Sequence, residues 1–323
     1  MRQFFKFLAL PVALPVALAF GTAQAADYPS SPVTMVVPFG AGTSTDLVSR
    51  ILGDAMSQDL GQPFVMENRP GAGGSIGTVE VVKADADGYK ISMGTVGTLA
   101  INVSLYDNLP YDPQADLEPI ALVGYTPTLL VVDSDSPYNS LDDLIAASKS
   151  GDGLTFASAG NGTSGHLAGE LLGIESGGQM LHIPFNSGAE GLTAVMSGEV
   201  DFMFYHPVAA LPNIDAGTLR AIGVSGADGS PVAPTVPAIA DTYPDFNLVA
   251  WWLLAAPAGT PKPVLEKLYG AVQTGLADDA VVAHFEKNGI RPGKLKFDEL
   301  PGFISAEIKK WGDIANAAKA QVD

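Results

Sequence analysis

A short apolar run that turns through two glycines into a helix constrains this chain more than any other stretch. Residues 33–37 are β-branched or apolar and predict a buried strand, and Pro-Phe-Gly-Ala-Gly-Thr-Ser-Thr-Asp follows at residues 38–46. From residue 46 to residue 60 apolar side chains recur every three or four positions, which predicts an α-helix ending at Gly61. The glycine turn therefore faces free N–H groups and the positive end of a helix dipole, an arrangement that favours an anion.

The start of this helix carries its own cap. Thr43 or Ser44 is the predicted N-cap, because a hydroxyl there accepts a hydrogen bond from a first-turn N–H. Asp46 follows three residues after Thr43, so its carboxylate can reach back toward the cap, as in a capping box. Arg50 lies one turn further on and is expected to be a structural or surface charge that faces away from the anion.

The first 25 residues have the composition of a targeting segment. Arg2 and Lys6 precede an apolar run at 7–20, and Ala-Gln-Ala occupies residues 23–25. These features are typical of a cleavable secretory signal peptide, and the apolar run is too short to span a membrane. We therefore expect cleavage after Ala25 and a periplasmic mature chain without membrane insertion.

Charge and cysteine content exclude several classes of function. The net charge of the chain is −18, which argues against nucleic acid and anionic membranes as partners. The chain has no cysteine, so disulfides, thiol chemistry and cysteine metal sites are excluded. Long-range attraction cannot favour an anionic ligand, and any anion site must depend on hydrogen-bond donors at close range.

Predicted strands alternate with predicted helices along most of the chain. Glycine loops at 71–77, 94–98 and 160–165 each follow a predicted strand, as the loop at 40–42 does. This alternation indicates an α/β fold in which largely parallel sheets are flanked by helices and ligands gather at the carboxyl ends of the strands.

The length of the chain accommodates two domains. We predict a first domain at 26–126, a second at 127–247, and a return of residues 248–323 to the first domain. Three predicted helices close the chain and are expected to pack on the first domain, because they have no sheet of their own. Residues 226–247 are rich in Pro and Ala and are interpreted as a linker, so that two crossings form a hinge.

The loop at Gly160, Gly162 and Gly165 stands between a predicted strand and a predicted helix, as a dinucleotide-binding motif does. That motif requires an acidic residue at the end of the next strand, whereas residues 184–187 are Pro, Phe, Asn and Ser. We favour a cradle for a small anion at this loop. The glycines at 71–77 are explained equally well as ordinary turn residues.

The chain supplies many donors but no catalytic set. Its Gly-x-Ser-x-Gly match, at 73–77, falls within the glycine turn, and Ser164 and His166 diverge at the start of a helix. The four histidines lack the close spacing of metal ligands. His166 and His206 lie at predicted strand ends, where ligand contact and structural hydrogen bonding are both open. Residues 251 and 252, both tryptophan, are interpreted as core or hinge packing.

Five motifs along the chain carry a resemblance to a known family. They are Val-Pro-Phe-x-x-Gly-x-x-x-Asp-x-x-x-Arg at 37–50, Glu-Asn-Arg-Pro-Gly-Ala-Gly-Gly at 67–74, Asp-Gly-Tyr at 87–89, Gly-Asn-Gly-Thr with His-Leu-Ala-Gly-Glu-Leu at 160–171, and Ala-Pro-Ala-Gly-Thr-Pro at 256–261. They resemble the substrate-binding proteins of tripartite tricarboxylate transporters, the Bug or TctC family. The resemblance implies a two-domain periplasmic binding protein of the type II-like class. It would capture a carboxylate between its domains through amides, hydroxyls and waters, and deliver it to a membrane permease.

The chain departs from the family pattern near the expected pocket. Thr43 stands where a second glycine is usual, and Gly165 replaces a frequent serine or threonine. The family's His-Val-Pro-Tyr-Lys-Gly is here His-Ile-Pro-Phe-Asn-Ser at 182–187, without the lysine and the tyrosine hydroxyl. The resemblance therefore supports a carboxylate without identifying it.

The predicted ligand-binding residues lie in the loops at the strand ends. They are Phe39, Gly40, Ala41, Gly42, Thr43, Ser44, Asp46, Thr95, Val96, Gly160, Asn161, Gly162, Thr163, Ser164, His166, Phe185, Asn186, Ser187, Tyr205 and His206. We expect a monomer without catalytic residues, metal or cofactor, which binds a di- or tricarboxylate or an aromatic acid and serves a transporter permease. The alternatives are a secreted α/β enzyme acting on a small carboxylic acid and a ligand-binding partner of a membrane sensor.

Overall fold

The computed structural model describes residues 28–319, so the predicted signal peptide and its cleavage site lie outside the described residues. In this range no helix combines the length and apolar character needed to cross a bilayer. The strands are β1 (Val33–Val37), β2 (Phe64–Asn68), β3 (Lys90–Thr95), β4 (Leu117–Pro127), β5 (Leu129–Asp133), β6 (Leu154–Ser158), β7 (Met180–Pro184), β8 (Phe202–Tyr205), β9 (Leu219–Val224), β10 (Val249–Pro257) and β11 (Arg291–Pro292).

The α-helices lie on the faces of two sheets. They are α1 (Ser44–Leu60), α2 (Ser75–Val82), α3 (Asn102–Leu105), α4 (Leu141–Ser148), α5 (Ser164–Ser176), α6 (Gly188–Met196), α7 (Pro207–Asp215), α8 (Lys262–Ala277), α9 (Asp279–Lys287) and α10 (Leu300–Ala318). The strand order is β11-β4-β10-β3-β1-β2 in the first sheet and β7-β6-β8-β5-β9 in the second. One buried apolar cluster belongs to the first sheet and one to the second, and another contains residues of both sheets.

Both sheets are mixed, which corrects the expectation of largely parallel sheets. β1 pairs in parallel with β2 and β3, but β10 runs antiparallel between β3 and β4. In the second sheet β6 is parallel to β7 and β8, whereas β5 is antiparallel to β8 and β9. An apolar strand buried on both faces has the same sequence pattern in either direction, so the pattern could not set the direction of β10 or β5.

The prediction of a third glycine loop at 94–98 is wrong. β3 continues through Thr95, and residues 97–101 form a π-helical turn that leads into α3. Leu99, Ala100 and Ile101 in this turn are buried, so packing fixes a conformation that two glycines in a short window do not indicate. The eleven-residue β4 and the helix α7 were not predicted.

Residues 226–247 do not form a linker. Ile239 and Phe246 are fully buried in the apolar core, and Ala238 forms a β-bridge with Val224 at the end of β9. The Pro-rich composition had suggested a connection, but its few large apolar residues pack the segment against the second sheet.

The C-terminal helices pack in two different places. α8 packs against α1 and β4, while α10 contacts the turn at 97–101, α3 and also α5. Glu307 of α10 accepts hydrogen bonds from Trp251 Nε1 at 2.6 Å and from Trp311 Nε1 at 2.9 Å. α10 therefore joins β10 to helices on both sides of the space between the sheets, called the cleft from here on.

Candidate ligand-binding site

A cavity with about 50 Å³ of space accessible to water, partly open to solvent, lies in the cleft at the carboxyl ends of β1, β3, β6 and β8. The predicted residues that line it are Phe39, Gly40, Thr43, Ser44, Thr95, Val96, Thr163, Ser164, Asn186, Ser187, Tyr205 and His206. The predicted residues that do not line it are Ala41, Gly42, Asp46, Gly160, Asn161, Gly162, His166 and Phe185.

Two loops with matching sequence and matching hydrogen bonds face each other across this cavity. Residues 40–46 read Gly-Ala-Gly-Thr-Ser-Thr-Asp, and residues 160–166 read Gly-Asn-Gly-Thr-Ser-Gly-His. In each loop the threonine hydroxyl donates to the carbonyl of the first glycine at 2.8 Å. The same hydroxyl accepts, at 3.4 Å, from the N–H of the residue three positions later. Each threonine is thus the N-cap of its helix, α1 or α5.

The second glycine of each loop is held by the last residue of the loop. Gly42 N–H donates to Asp46 Oδ2 at 2.9 Å, and Gly162 N–H donates to His166 Nδ1 at 3.3 Å. The carboxylate of one loop and the imidazole of the other are therefore equivalent hydrogen-bond acceptors. A capping box would place the Asp46 carboxylate on the N–H of the N-cap Thr43. In the structure it accepts instead from Gly42, one residue before the N-cap.

Apart from Thr45, whose hydroxyl accepts from Trp252, the loops present the hydroxyls of two serines to the cavity. The hydroxyl hydrogens of Thr43 and Thr163 are used by their own loop carbonyls, so these threonines shape the loops rather than offer a donor. Ser44 and Ser164 follow them, line the cavity and occupy the first position of α1 and α5. First-turn N–H groups of a helix have no partner within the helix. Two helix N-termini therefore present amides and a serine hydroxyl to the same space.

His206 lies at the end of β8 and bridges the two serines. Its Nδ1 is 2.6 Å from Ser44 Oγ, and its Nε2 is 3.4 Å from Ser164 Oγ. The ring stacks on Tyr205 and meets the edge of Trp252. Burial lowers the pKa of His206 to about 4, so the imidazole is neutral at pH 7 in the empty protein.

His166 has a structural explanation. Its Nδ1 is engaged by Gly162, and its ring stacks on His182 with 4.0 Å between centroids. Burial lowers the pKa of His166 to about 4 and, together with the charge of His166, lowers that of His182 to about 3. Both rings are neutral, and His182 Nε2 lies 2.6 Å from Ser158 Oγ.

The walls of the cavity are apolar or neutral. None of the described residues that line it is Lys, Arg, Asp or Glu. Trp251 and Trp252 belong to the lining and are not only core packing, and Trp252 Nε1 donates to Thr45 Oγ1 at 3.1 Å. The other lining residues that were not predicted are Thr45, Gly97, Ala159, Gly165, Gly188, Phe204 and Ala250.

Asp46 does not line the cavity but holds the loop at 40–46 in place through hydrogen bonds. Besides Gly42, its carboxylate accepts from Arg50 Nη2 and from Asn68 Nδ2, both at 2.9 Å. Burial acts to raise the pKa of Asp46, but the Arg50, Gly42 and Asn68 hydrogen bonds outweigh it and hold the pKa below its ordinary value. Arg50 is committed to this carboxylate and does not line the cavity.

We expect Asp46→Asn to destabilise the protein by about 1–3 kcal/mol, because a buried set of donors loses its charged acceptor. The folded-state pKa of Asp46 is depressed, so its contribution is present above the unfolded-state pKa, near 4, and is lost as pH falls through the folded-state value. Urea unfolding at pH 7 and at pH 3 measures this. Asp54→Asn is the control, since it removes an exposed carboxylate from the same helix. Equal effects of the two substitutions at pH 7 would contradict the role given to Asp46.

Among residues 28–319 no cluster of three or more His, Cys, Asp or Glu side chains is placed to hold a metal ion. The site is built from amides, hydroxyls, one imidazole and aromatic walls. These groups can bind and orient a ligand. Ser44 hydrogen-bonds His206, but none of the described lining residues is a carboxylate that would orient the imidazole as in a catalytic triad.

Comparison with known proteins places the chain and its fold in one family. Residues 48–319 match the tripartite tricarboxylate transporter family receptor. The chain belongs to this receptor family. Its members are substrate-binding receptors of the periplasm rather than enzymes, which confirms the resemblance carried by the five motifs.

The relatives of this receptor match nearly its whole length. BugT of Bordetella pertussis is 35% identical over 302 residues, which are 93% of this chain and 93% of BugT. The structure of Rpa4515 from R. palustris with adipate has a TM-score of 0.87 at 32% identity and covers 91% of this chain and 99% of that one. The structure of MatC from Rhodopseudomonas palustris with bound malate has a TM-score of 0.84 at 33% identity and covers 89% and 99%.

Proposed function

We propose that this receptor captures a small carboxylate in the cleft and delivers it to the permease of a tripartite tricarboxylate transporter. The observation that carries the proposal is the pair of matching loops at 40–46 and 160–166, whose helix N-termini converge on one cavity. Helix N-termini attract anions through unpaired N–H groups and the helix dipole. Solved relatives of the family hold adipate and malate, which are carboxylates.

The chemistry of the lining supports a carboxylate with a compact body. The donors are N–H groups and hydroxyls, and the walls include Trp251, Trp252 and Phe39. We propose that the lining residues, with the loop glycines behind them, form the binding site. A carboxylate accepts several hydrogen bonds at once, while the aromatic walls cover the carbon chain or ring that carries it.

We also propose a division into domains at 26–126, 127–247 and 248–323, with the cleft as the part that opens and closes. Support comes from backbone contacts across the cleft. A Cβ on Gly97 would lie 2.6 Å from the carbonyl oxygen of Gly162, and a Cβ on Gly73 would overlap the carbonyl of Asn161. Two backbones that meet this closely fit a shut cleft, and a ligand that touches both loops favours that state.

A thermal-shift screen of the mature protein tests the function. Malate, adipate, citrate and benzoate are compared with their uncharged amides at equal concentration. We expect at least one acid to raise the unfolding temperature by a few degrees, because a ligand at 100 times its Kd stabilises the folded state by about 2.7 kcal/mol. The amides should give no shift, since they lack the charge that the helix N-termini recognise. Equal shifts from an acid and its amide, or none from any acid, would contradict the proposal.

A further inference from the structure

We infer that His206 is the group that supplies positive charge to the pocket, and that the receptor takes up a proton on His206 when it binds a carboxylate. The inference rests on the proposed function and adds the mechanism of charge compensation. Two observations on the described residues carry it: the position of the imidazole between Ser44 and Ser164, and a lining without Lys or Arg.

Protonation of His206 changes the number of hydrogen-bond donors that Ser44 and Ser164 can offer a ligand. A neutral imidazole has one N–H, so it donates to one serine and accepts from the other. The accepting nitrogen uses up the hydroxyl hydrogen of its serine, and only one serine can donate to a ligand. A protonated imidazole donates from both nitrogens, and the hydrogens of Ser44 and Ser164 both become available. Protonation therefore adds one donor to the cavity as well as a positive charge.

The empty pocket disfavours this state, and an anion reverses the preference. The cause of the lowered pKa of His206 is burial, which acts against the charged form. A carboxylate placed at the two helix N-termini lies close to the ring in a site of low dielectric, where opposite charges interact far more strongly than in water. The pKa of His206 thus rises when the ligand binds, and one proton enters with it.

Other titratable groups near the ring are already committed. The titratable groups in the first two turns of α1 and α5 are Asp46, Arg50, His166 and Glu170, and those on β8 and α7 are Tyr205 and Asp215. Asp46 and Arg50 pair with each other, and His166 is engaged by Gly162. Glu170 Oε1 lies 3.7 Å from His166 Nε2, and burial raises the pKa of Glu170. Burial raises the pKa of Tyr205 to about 12, so it stays neutral, and Asp215 is the last residue of α7. β10 contributes no titratable residue.

The direction in which ligand binding shifts the pKa of His206 determines how the affinity depends on pH. Because the pKa of His206 is higher in the complex than in the empty protein, binding is tighter at low pH. The Kd rises with pH between the two pKa values, by up to about tenfold per pH unit, and is constant above the pKa of the complex. Below about pH 5 the ligand carboxylate itself becomes protonated, so the useful window is pH 5.5 to 8.

Isothermal titration calorimetry in buffers of different ionisation enthalpy measures the proton directly. The probe is whichever of malate, adipate, citrate and benzoate gives the largest thermal shift. We expect the wild-type receptor at pH 6.5 to take up a fraction of a proton, approaching one as pH falls. His206→Gln keeps a hydrogen-bonding side chain that cannot be protonated, and it should show no uptake and a Kd independent of pH. His284→Gln, on the exposed face of α9, is the matched control and should behave as wild type.

The outcomes separate this inference from the proposed function. Binding without proton uptake by the wild type, or with the same uptake in His206→Gln, overturns the inference and leaves the carboxylate receptor intact. If His206→Gln fails to fold, His206→Asn takes its place, and a wild type without proton uptake overturns the inference whichever variant is used. Absence of any binding between pH 5.5 and 8 removes the proposed function and this inference with it.

Discussion

Gly97→Ala is expected to weaken ligand binding by about tenfold to a hundredfold while the empty receptor keeps or gains thermal stability. Gly97 begins the helical turn after β3, and its φ is not in the left-handed region, so alanine strains no backbone there. The added methyl group would lie 2.6 Å from the carbonyl oxygen of Gly162 across the cleft. Such overlap typically costs 1–3 kcal/mol, and it exists only when the cleft is shut.

The measurements are the Kd of the probe acid and the radius of gyration with and without it. Gly270→Ala makes the same change inside α8, where a Cβ meets nothing within 4 Å, and should alter neither. We expect Gly97→Ala to stay expanded at saturating ligand, whereas the control contracts. A Gly97→Ala receptor that binds and contracts like the control would show that the two loops do not approach each other on closure.

The sequence predicted the local parts of this site because they are encoded locally. The strand at 33–37, the glycine turn and the helix after it are one continuous segment, and its apolar spacing and cap are enough to specify them. The same holds for the segment from β6 to α5. The agreement in hydrogen bonding between the loops at 40–46 and 160–166 could also have been found in the sequence, as the repeat Gly-x-Gly-Thr-Ser.

The parts that sequence reasoning missed depend on distant pairings. Trp251 and Trp252 line the cavity only because β10 inserts antiparallel between β3 and β4, more than 120 residues after β4. The continuous apolar run of β10 indicates a buried strand but not its neighbours. His206 could be placed at a strand end, yet its bridge needs the starts of two helices that lie far apart in the chain.

The sequence singled out Gly162, but the structure gives this glycine a different role from the predicted one. The loop pattern suggested that Gly162 approaches the ligand, but it does not line the cavity. A Cβ there would instead overlap Asn102 Oδ1, on the opposite side of the cleft. Asn102 is fully buried, and this oxygen has no hydrogen-bond partner among the described residues.

The equivalent glycines of the two loops provide the matched test. Gly42 and Gly162 have φ of 79° and 76°, so alanine introduces the same left-handed strain, about 1–2 kcal/mol, at both. Because that strain is the same whether the cleft is open or shut, it does not change the Kd. A Cβ at Gly42 meets nothing within 4 Å, whereas one at Gly162 overlaps Asn102. We expect both substitutions to lower stability alike, and only Gly162→Ala to weaken binding, by about a hundredfold.

Asn102→Ala decides whether this overlap is the cause. In the Gly162→Ala background it removes the opposing oxygen, and because that oxygen accepts no hydrogen bond, its loss leaves no donor unsatisfied. The double variant should recover most of the lost affinity, although Asn102 Nδ2 also gives up its bond to the Gly73 carbonyl at 3.2 Å. A double-mutant cycle of the four Kd values measures the coupling between the two sites. Additive effects would mean that Gly162 acts through its own loop, and the cleft would then not close by contact between Gly162 and Asn102.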